Sequence, residues 1–164
     1  MKFILPTMAA TTALIAPVAA EARLVTFETT LNAYGGNSAY IALYVTDASG
    51  KYKRTLWMAG GKVKYYRHLS DWRRVSGGAT TEVDGITGAS IGSGKTLKIS
   101  LDLAHTMIDA GYQVHVDTAV EHGTDNPSEV IAPLHTAASG KPARGEGSAT
   151  SFPVTSCTAP IRSL

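Results

Sequence analysis

Asp84-Gly85-Ile86-Thr87-Gly88-Ala89-Ser90 is the stretch of this 164-residue chain with the clearest chemical content. It reads D-x-x-T-G-A-S, a run of small residues that ends on a hydroxyl. A side-chain hydroxyl that accepts a group from another enzyme must enter that enzyme's site, so its neighbours must be small. Gly88 lets the backbone take turn conformations that other residues resist, and Ala89 adds almost no bulk. Asp84 could position a metal or the hydroxyl proton during the transfer. The candidate group is the Ser90 hydroxyl, with Asp84, Thr87, Gly88 and Ala89 around it. Read plainly, the same residues are a glycine-containing turn between two elements.

Other groupings carry less. Gly92-Ser93-Gly94-Lys95-Thr96 looks like the end of a phosphate-binding loop. The full pattern needs Gly where this chain has Ala89, and a helix after the lysine where the alternation predicts a strand. Nucleotide binding is therefore set aside. His115 and Asp117 share one strand face, and Glu121 and His122 follow. A metal site needs three or four converging ligands, and this spacing fits no standard zinc pattern, so a solvated strand face is the simpler expectation and no metal ligand is assigned. For Glu121-His122-Gly123 a strand-ending role is expected, with His122 bonding a backbone carbonyl. A hydrolytic triad is defined by geometry rather than by sequence order, and no catalytic residue is assigned.

The elements that must hold the loop follow from periodicity. Residues 23–31 alternate, with Val25, Phe27, Thr29 and Leu31 on one face, as in a half-buried strand. Residues 39–46 and 52–58 form two strands around the turn Asp47-Ala48-Ser49-Gly50. Tyr65, Tyr66, Leu69, Trp72 and Val75 recur at three- and four-residue spacing, which predicts a short amphipathic helix ended by Ser76-Gly77-Gly78. Strands are expected again over 95–103, 111–121 and, briefly, 129–134. The order is strand, hairpin, helix-containing crossover, then further strands. That predicts an all-β fold, an immunoglobulin-like antiparallel β-sandwich with one short inserted helix.

The ends have their own signatures. Met1-Lys2 precedes an apolar, Ala-rich run, and Val18-Ala19-Ala20 and Ala20-Glu21-Ala22 are small-x-Ala cleavage patterns. Residues 1–20 read as a secretory signal peptide cut after Ala20 or Ala22, releasing a soluble, exported domain over 21–134. From His135 the composition turns to Ala, Ser, Gly, Pro and Thr, which predicts a flexible tail over 135–164. Cys157 stands alone, so no internal disulfide is expected and a real hydrophobic core is required. A formal charge of +2 lacks the basic excess that nucleic-acid binding needs.

Two resemblances follow from these residues. The loop from Asp84 to Ser90 resembles the acceptor motif at which flavin transferases attach FMN to exported proteins, through a phosphoester on the last Ser or Thr. The run Tyr40 through Asp47, then Gly50, Arg54-Thr55-Leu56-Trp57, Trp72, the acceptor loop, Gly111-Tyr112 and Glu121-His122-Gly123 resembles the predicted periplasmic proteins grouped as domain-of-unknown-function family 2271. That likeness covers Arg23 to Leu134. Where many relatives carry a Trp-Asp-Gly-type strand, this chain reads Ile99-Ser100-Leu101-Asp102. The family resemblance implies a periplasmic redox setting, with flavin transferases and PepSY-type membrane redox proteins as partners. The motif resemblance implies covalent FMN on Ser90, and so a substrate of a flavin transferase rather than an enzyme with its own turnover. Lys95, Arg73 and Arg74 could offset the phosphodiester charge, and Trp72, Tyr65 and Tyr66 could stack on the flavin, although helical spacing favours a core role for these aromatics. The alternative reading is a cofactor-free binding module that docks on a membrane redox protein or another envelope partner.

Overall fold

The structure, a computed structural model, describes residues 21–78, 80–123 and 125–145, with the backbone of 149–157. The expected signal peptide lies outside the described residues. Two sheets form the molecule. One has the order β5 (Thr96–Ala104), β1 (Ala22–Leu31), β9 (Ala149–Cys157), β8 (Pro142–Ala143). The other has the order β4 (Thr87–Gly88), β3 (Tyr52–Ala59), β2 (Ala39–Thr46), β6 (Gln113–Val120), β7 (Asp125–Pro133). Every pairing is antiparallel except β3 with β4. This is the expected all-β sandwich with one short helix.

Alternation explains the layers. On β1, Val25, Phe27, Thr29 and Leu31 are buried, as the period of two requires. They meet Leu97, Ile99 and Leu103 of β5 and Ile41, Leu43 and Val45 of β2 in the core between the sheets. The opposite face of β2 is buried too: Tyr40, Ala42 and Tyr44 pack with Tyr66, Leu69, Trp72 and Val83 in a second apolar layer. Each side chain of β2 is therefore inside, which suits its unbroken run AYIALYVT.

The expected single helix is divided in two. A 3-10 segment spans Val63–His68, and helix α1 spans Ser70–Ser76 and stops at Gly77. The division falls at Leu69, which is fully buried and takes a non-helical conformation (φ −81°, ψ 73°). Together the two pieces roof the outer face of the five-stranded sheet.

Two expectations differ from the structure. The face of β6 bearing His115 and Asp117 was read as solvated, but the roof covers it: Asp117 is fully buried and His115 half-buried. The residue types alone could not show that a helix lies over that face. The second difference concerns residues 135–164. Composition predicts a loose tail, yet Ala149–Cys157 pairs with β1, and Pro142–Ala143 pairs with β9. Backbone pairing asks only for an open strand edge, here the side of β1 left free by β5, and composition does not report such an edge. Among the described residues, no helix is long and apolar enough to cross a membrane.

Candidate functional site

The acceptor-like loop begins where the 3-10 turn Thr80–Val83 ends. The Ile86 carbonyl accepts from the Met58 N–H at 3.0 Å, and the Gly88 carbonyl accepts from the Gly60 N–H at 2.7 Å. These bonds lay Thr87–Gly88 beside β3 as the edge strand β4. Three residues after Gly88, Ile91 and Ala39 exchange both backbone hydrogen bonds, at 2.7 and 2.9 Å. The loop therefore steps across the end of β3 and closes on the start of β2. The sequence suggested a loose acceptor loop; the structure holds it at both ends and leaves Ala89 and Ser90 between the anchors.

The five expected site residues follow one another along the loop, and of them Asp84 and Thr87 share a recess. Asp84, Thr87 and Ala89 are exposed, and Gly88 and Ser90 are half-buried. The Ser90 hydroxyl has no hydrogen-bond partner among the described residues. Gly88 has a structural reason of its own: a Cβ there would lie 2.9 Å from Cζ2 of Trp57. The Trp57 indole N–H is buried beside it without a hydrogen-bond partner. Asp84 and Thr87 line a recess of about 280 Å³ whose other walls include Thr80, Thr81 and Tyr66.

Gly88-Ala89-Ser90-Ile91-Gly92 does spell G-x-S-x-G, although no strained elbow of that pattern was expected. In a nucleophile elbow the chain passes from strand through serine into a helix. Here it runs from Ile91 through a turn into β5, and no described histidine bonds Ser90. The loop has no elbow geometry.

Of the cations expected near the loop, Lys95 lies nearest, its Cγ folded back over Gly92. Arg74 is paired with Asp71 at 2.8 Å, and the Arg73 stem packs over Gly78. Trp72 and Tyr66 are core residues. The Trp72 indole donates to Thr55 Oγ1 at 2.8 Å, and the Tyr66 hydroxyl donates to the Gly60 carbonyl at 2.8 Å. Only Tyr65 of the three expected aromatics is accessible.

Tyr65 lines the larger concavity, about 370 Å³, with Tyr40, Lys64, Arg67, His68 and Glu121 among its walls. Such a volume lies in the range of small-molecule sites. The Tyr40 and Tyr65 rings lie 5.2 Å apart, and the Lys64 ammonium sits 4.8 Å from the Tyr65 centroid. The Tyr65 hydroxyl donates to the Glu121 carboxylate. That bond holds the Glu121 carboxyl below its usual range and raises the Tyr65 phenol. Lys62 approaches Glu121 at 3.8 Å, whereas neither Lys64 nor Arg67 is ion-paired with a described carboxylate. Among the described residues His122 bonds no backbone carbonyl, contrary to the expectation. Its ring is exposed, its nearest charged neighbour is Glu121 at 4.0 Å, and its backbone takes φ 61°.

A second polar cluster lies under the roof. Asp117 accepts the Trp72 N–H and the Ser128 N–H, each at 2.6 Å, and the Tyr44 hydroxyl at 3.3 Å. Burial raises the Asp117 carboxyl, and the two N–H groups pull the other way. Ser128 sits at φ 42°, where a register shift in the β6–β7 ladder turns its N–H toward Asp117. His115 bonds Thr46 through Nε2 at 3.0 Å and reaches Ser128 through Nδ1 at 3.4 Å. A serine protease histidine has a carboxylate on one nitrogen and the nucleophile on the other. Here hydroxyls hold both, so the cluster anchors α1 and the bulge.

The sequence model of a family described as a predicted periplasmic protein, DUF2271, matches residues 22–151, beyond the 23–134 expected from motifs and as far as the start of β9. No curated protein and no solved structure matches the chain. With the family match extending over most of its length, this chain belongs to the DUF2271 family of predicted periplasmic proteins.

Proposed function

We propose that this protein is exported and carries FMN in a phosphoester on Ser90, as the electron-carrying part of a periplasmic redox system. The ester forms when the Ser90 oxygen attacks the flavin-side phosphorus of FAD; the diphosphate P–O bond breaks, and AMP leaves with the hydroxyl proton. The observation that supports this reading most is the placement of the motif. D-x-x-T-G-A-S lies at a sheet edge with Asp84, Thr87 and Ala89 open to solvent and an unengaged Ser90 hydroxyl between two backbone anchors. An acceptor must be reachable by a second protein and must not already be bonded; the half-buried Ser90 has an unbonded hydroxyl among the described residues and exposed neighbours in Thr87 and Ala89, which supports the reading. Lys95, whose stem packs against Gly92 close to the loop, would supply a cation to offset the phosphodiester charge. FMN, once attached, supplies the electron-transfer chemistry, and the protein supplies position and electrostatics.

The test is co-expression with a flavin transferase, followed by intact mass spectrometry of wild type and Ser90→Ala. Wild type should gain the mass of one FMN less water, and Ser90→Ala should gain none. Wild type without added mass refutes the attachment and leaves the cofactor-free docking module as the reading. Added mass on Ser90→Ala refutes Ser90 as the acceptor.

A further inference from the structure

We propose that the isoalloxazine ring of the FMN rests in the Tyr40–Tyr65 concavity; this rests on the attachment at Ser90 argued above. Proximity comes first. Ile91 exchanges both backbone bonds with Ala39, so Ser90 and Tyr40 flank the same bridged pair on neighbouring segments. The concavity opens beyond Tyr40 toward Ala119 and Val120 of β6, so the span from Ser90 is two strand spacings, roughly 10 Å, which an extended ribityl phosphate arm and the ring together cover. The ring of a flavin tethered at Ser90 therefore reaches the concavity that Tyr40 walls.

The lining suits the ring. Tyr65 offers aromatic surface for stacking, and Tyr40, itself almost wholly buried, backs it as the wall behind. Flavins become electron-rich and tend toward an anion on reduction, and Lys64 and Arg67 present positive charge not committed to a described carboxylate. The one carboxylate in the lining, Glu121, is already engaged by Tyr65 and flanked by Lys62. The rival recess beside Asp84 and Thr87 is smaller and is lined by threonines, a carboxylate and a Tyr66 that is almost wholly buried. It offers neither a stacking face nor a cation.

His122 adds an independent sign. A non-glycine residue in the left-handed region costs about 1–2 kcal/mol, and such outliers concentrate at ligand clamps. Here the strained backbone sets the imidazole at the rim of this concavity.

The experiment uses co-expressed, full-length protein whose flavin content is established by intact mass, and compares flavin fluorescence folded and in urea. Stacked tyrosines quench flavin emission. Folded wild type should be several-fold dimmer than the unfolded sample, and Tyr65→Leu should recover at least half of the lost emission while keeping the added mass. Thr81→Ala, in the rival recess, should stay as dim as wild type. Full mass with no quenching in wild type, or with quenching unchanged in Tyr65→Leu, overturns the docking but leaves the attachment standing. Loss of quenching in Thr81→Ala alone moves the ring to the rival recess and also overturns it. No added mass in wild type overturns the attachment, and the docking with it.

Discussion

Replacing Asp117 tests whether the roof over the second sheet is held by one carboxylate. Asp117→Ala removes the acceptor for two backbone N–H groups, each bound at 2.6 Å, and for the Tyr44 hydroxyl. Tyr44 keeps its 3.0 Å contact with Ser128 Oγ, so the loss falls mainly on Trp72 and Ser128. A buried donor left without a partner costs about 1–3 kcal/mol, and relief of the carboxylate's own desolvation returns part of the sum. The net expectation is a loss of about 3 kcal/mol, or about 10 °C in melting temperature for a domain of this size. Asp117→Asn sharpens the test. Trp72 bonds one carboxylate oxygen and Ser128 the other, so either orientation of an amide sets its NH₂ against a backbone N–H. Asn should therefore cost nearly as much as Ala, although it is almost the same size and shape as Asp. Urea unfolding followed by tryptophan fluorescence gives the free energies, since Trp72 is one of the groups released. An Asn variant within about 0.5 kcal/mol of wild type would sink the reasoning, because it would show that one acceptor is enough.

Four further outcomes follow from particular residues. Gly60→Ala should fail to fold or lose about 3 kcal/mol or more in chemical denaturation, since Gly60 sits at φ 116° and a Cβ there would overlap the Tyr40 ring. Gly88→Ala should cost about 1–3 kcal/mol by pressing on Trp57, which a shift in tryptophan emission would report. His122→Gly should raise the melting temperature by relieving about 1 kcal/mol of backbone strain, while weakening the rim of the Tyr65 concavity. The pH dependence follows from Glu121. Its folded carboxyl lies below the ordinary 4.5, so its contribution is present above that value and is lost as pH falls through the lower folded value. Tyr65→Phe removes the main cause, and thermal melts below pH 4.5 should show a shallower acid loss than wild type.

The strands β1, β2, β3, β5 and β6 were legible because alternation and β-branched runs are local properties. Val25, Phe27, Thr29 and Leu31 declare a buried face in the residues themselves, and the structure buries all four. The helical spacing of Tyr66, Leu69 and Trp72 likewise marked residues that end in the core. The Tyr65–Glu121 pair was not legible, because it joins residues 56 positions apart across two elements. Its faint signal was the Glu121-His122-Gly123 turn, where a left-handed position is filled by histidine rather than by glycine. Asp117 was misread for a related reason. A polar residue alternating with valines looks solvated until a distant helix supplies the N–H groups that let it stay inside.

By itself the sequence determined that β1, β2, β3, β5 and β6 are strands, which face of β1 and of β5 is buried, and that the small-residue loop ends on the Ser90 hydroxyl. These follow from short-range patterns of side-chain type and backbone freedom. Only the tertiary structure decided that the loop is held by β3 and Ala39, that Ser90 is nevertheless unengaged, and that Tyr65 rather than Trp72 or Tyr66 is the accessible aromatic. Those outcomes depend on which strand edge is open and which face is roofed. Such contacts form between residues far apart in the chain, and no local pattern encodes them.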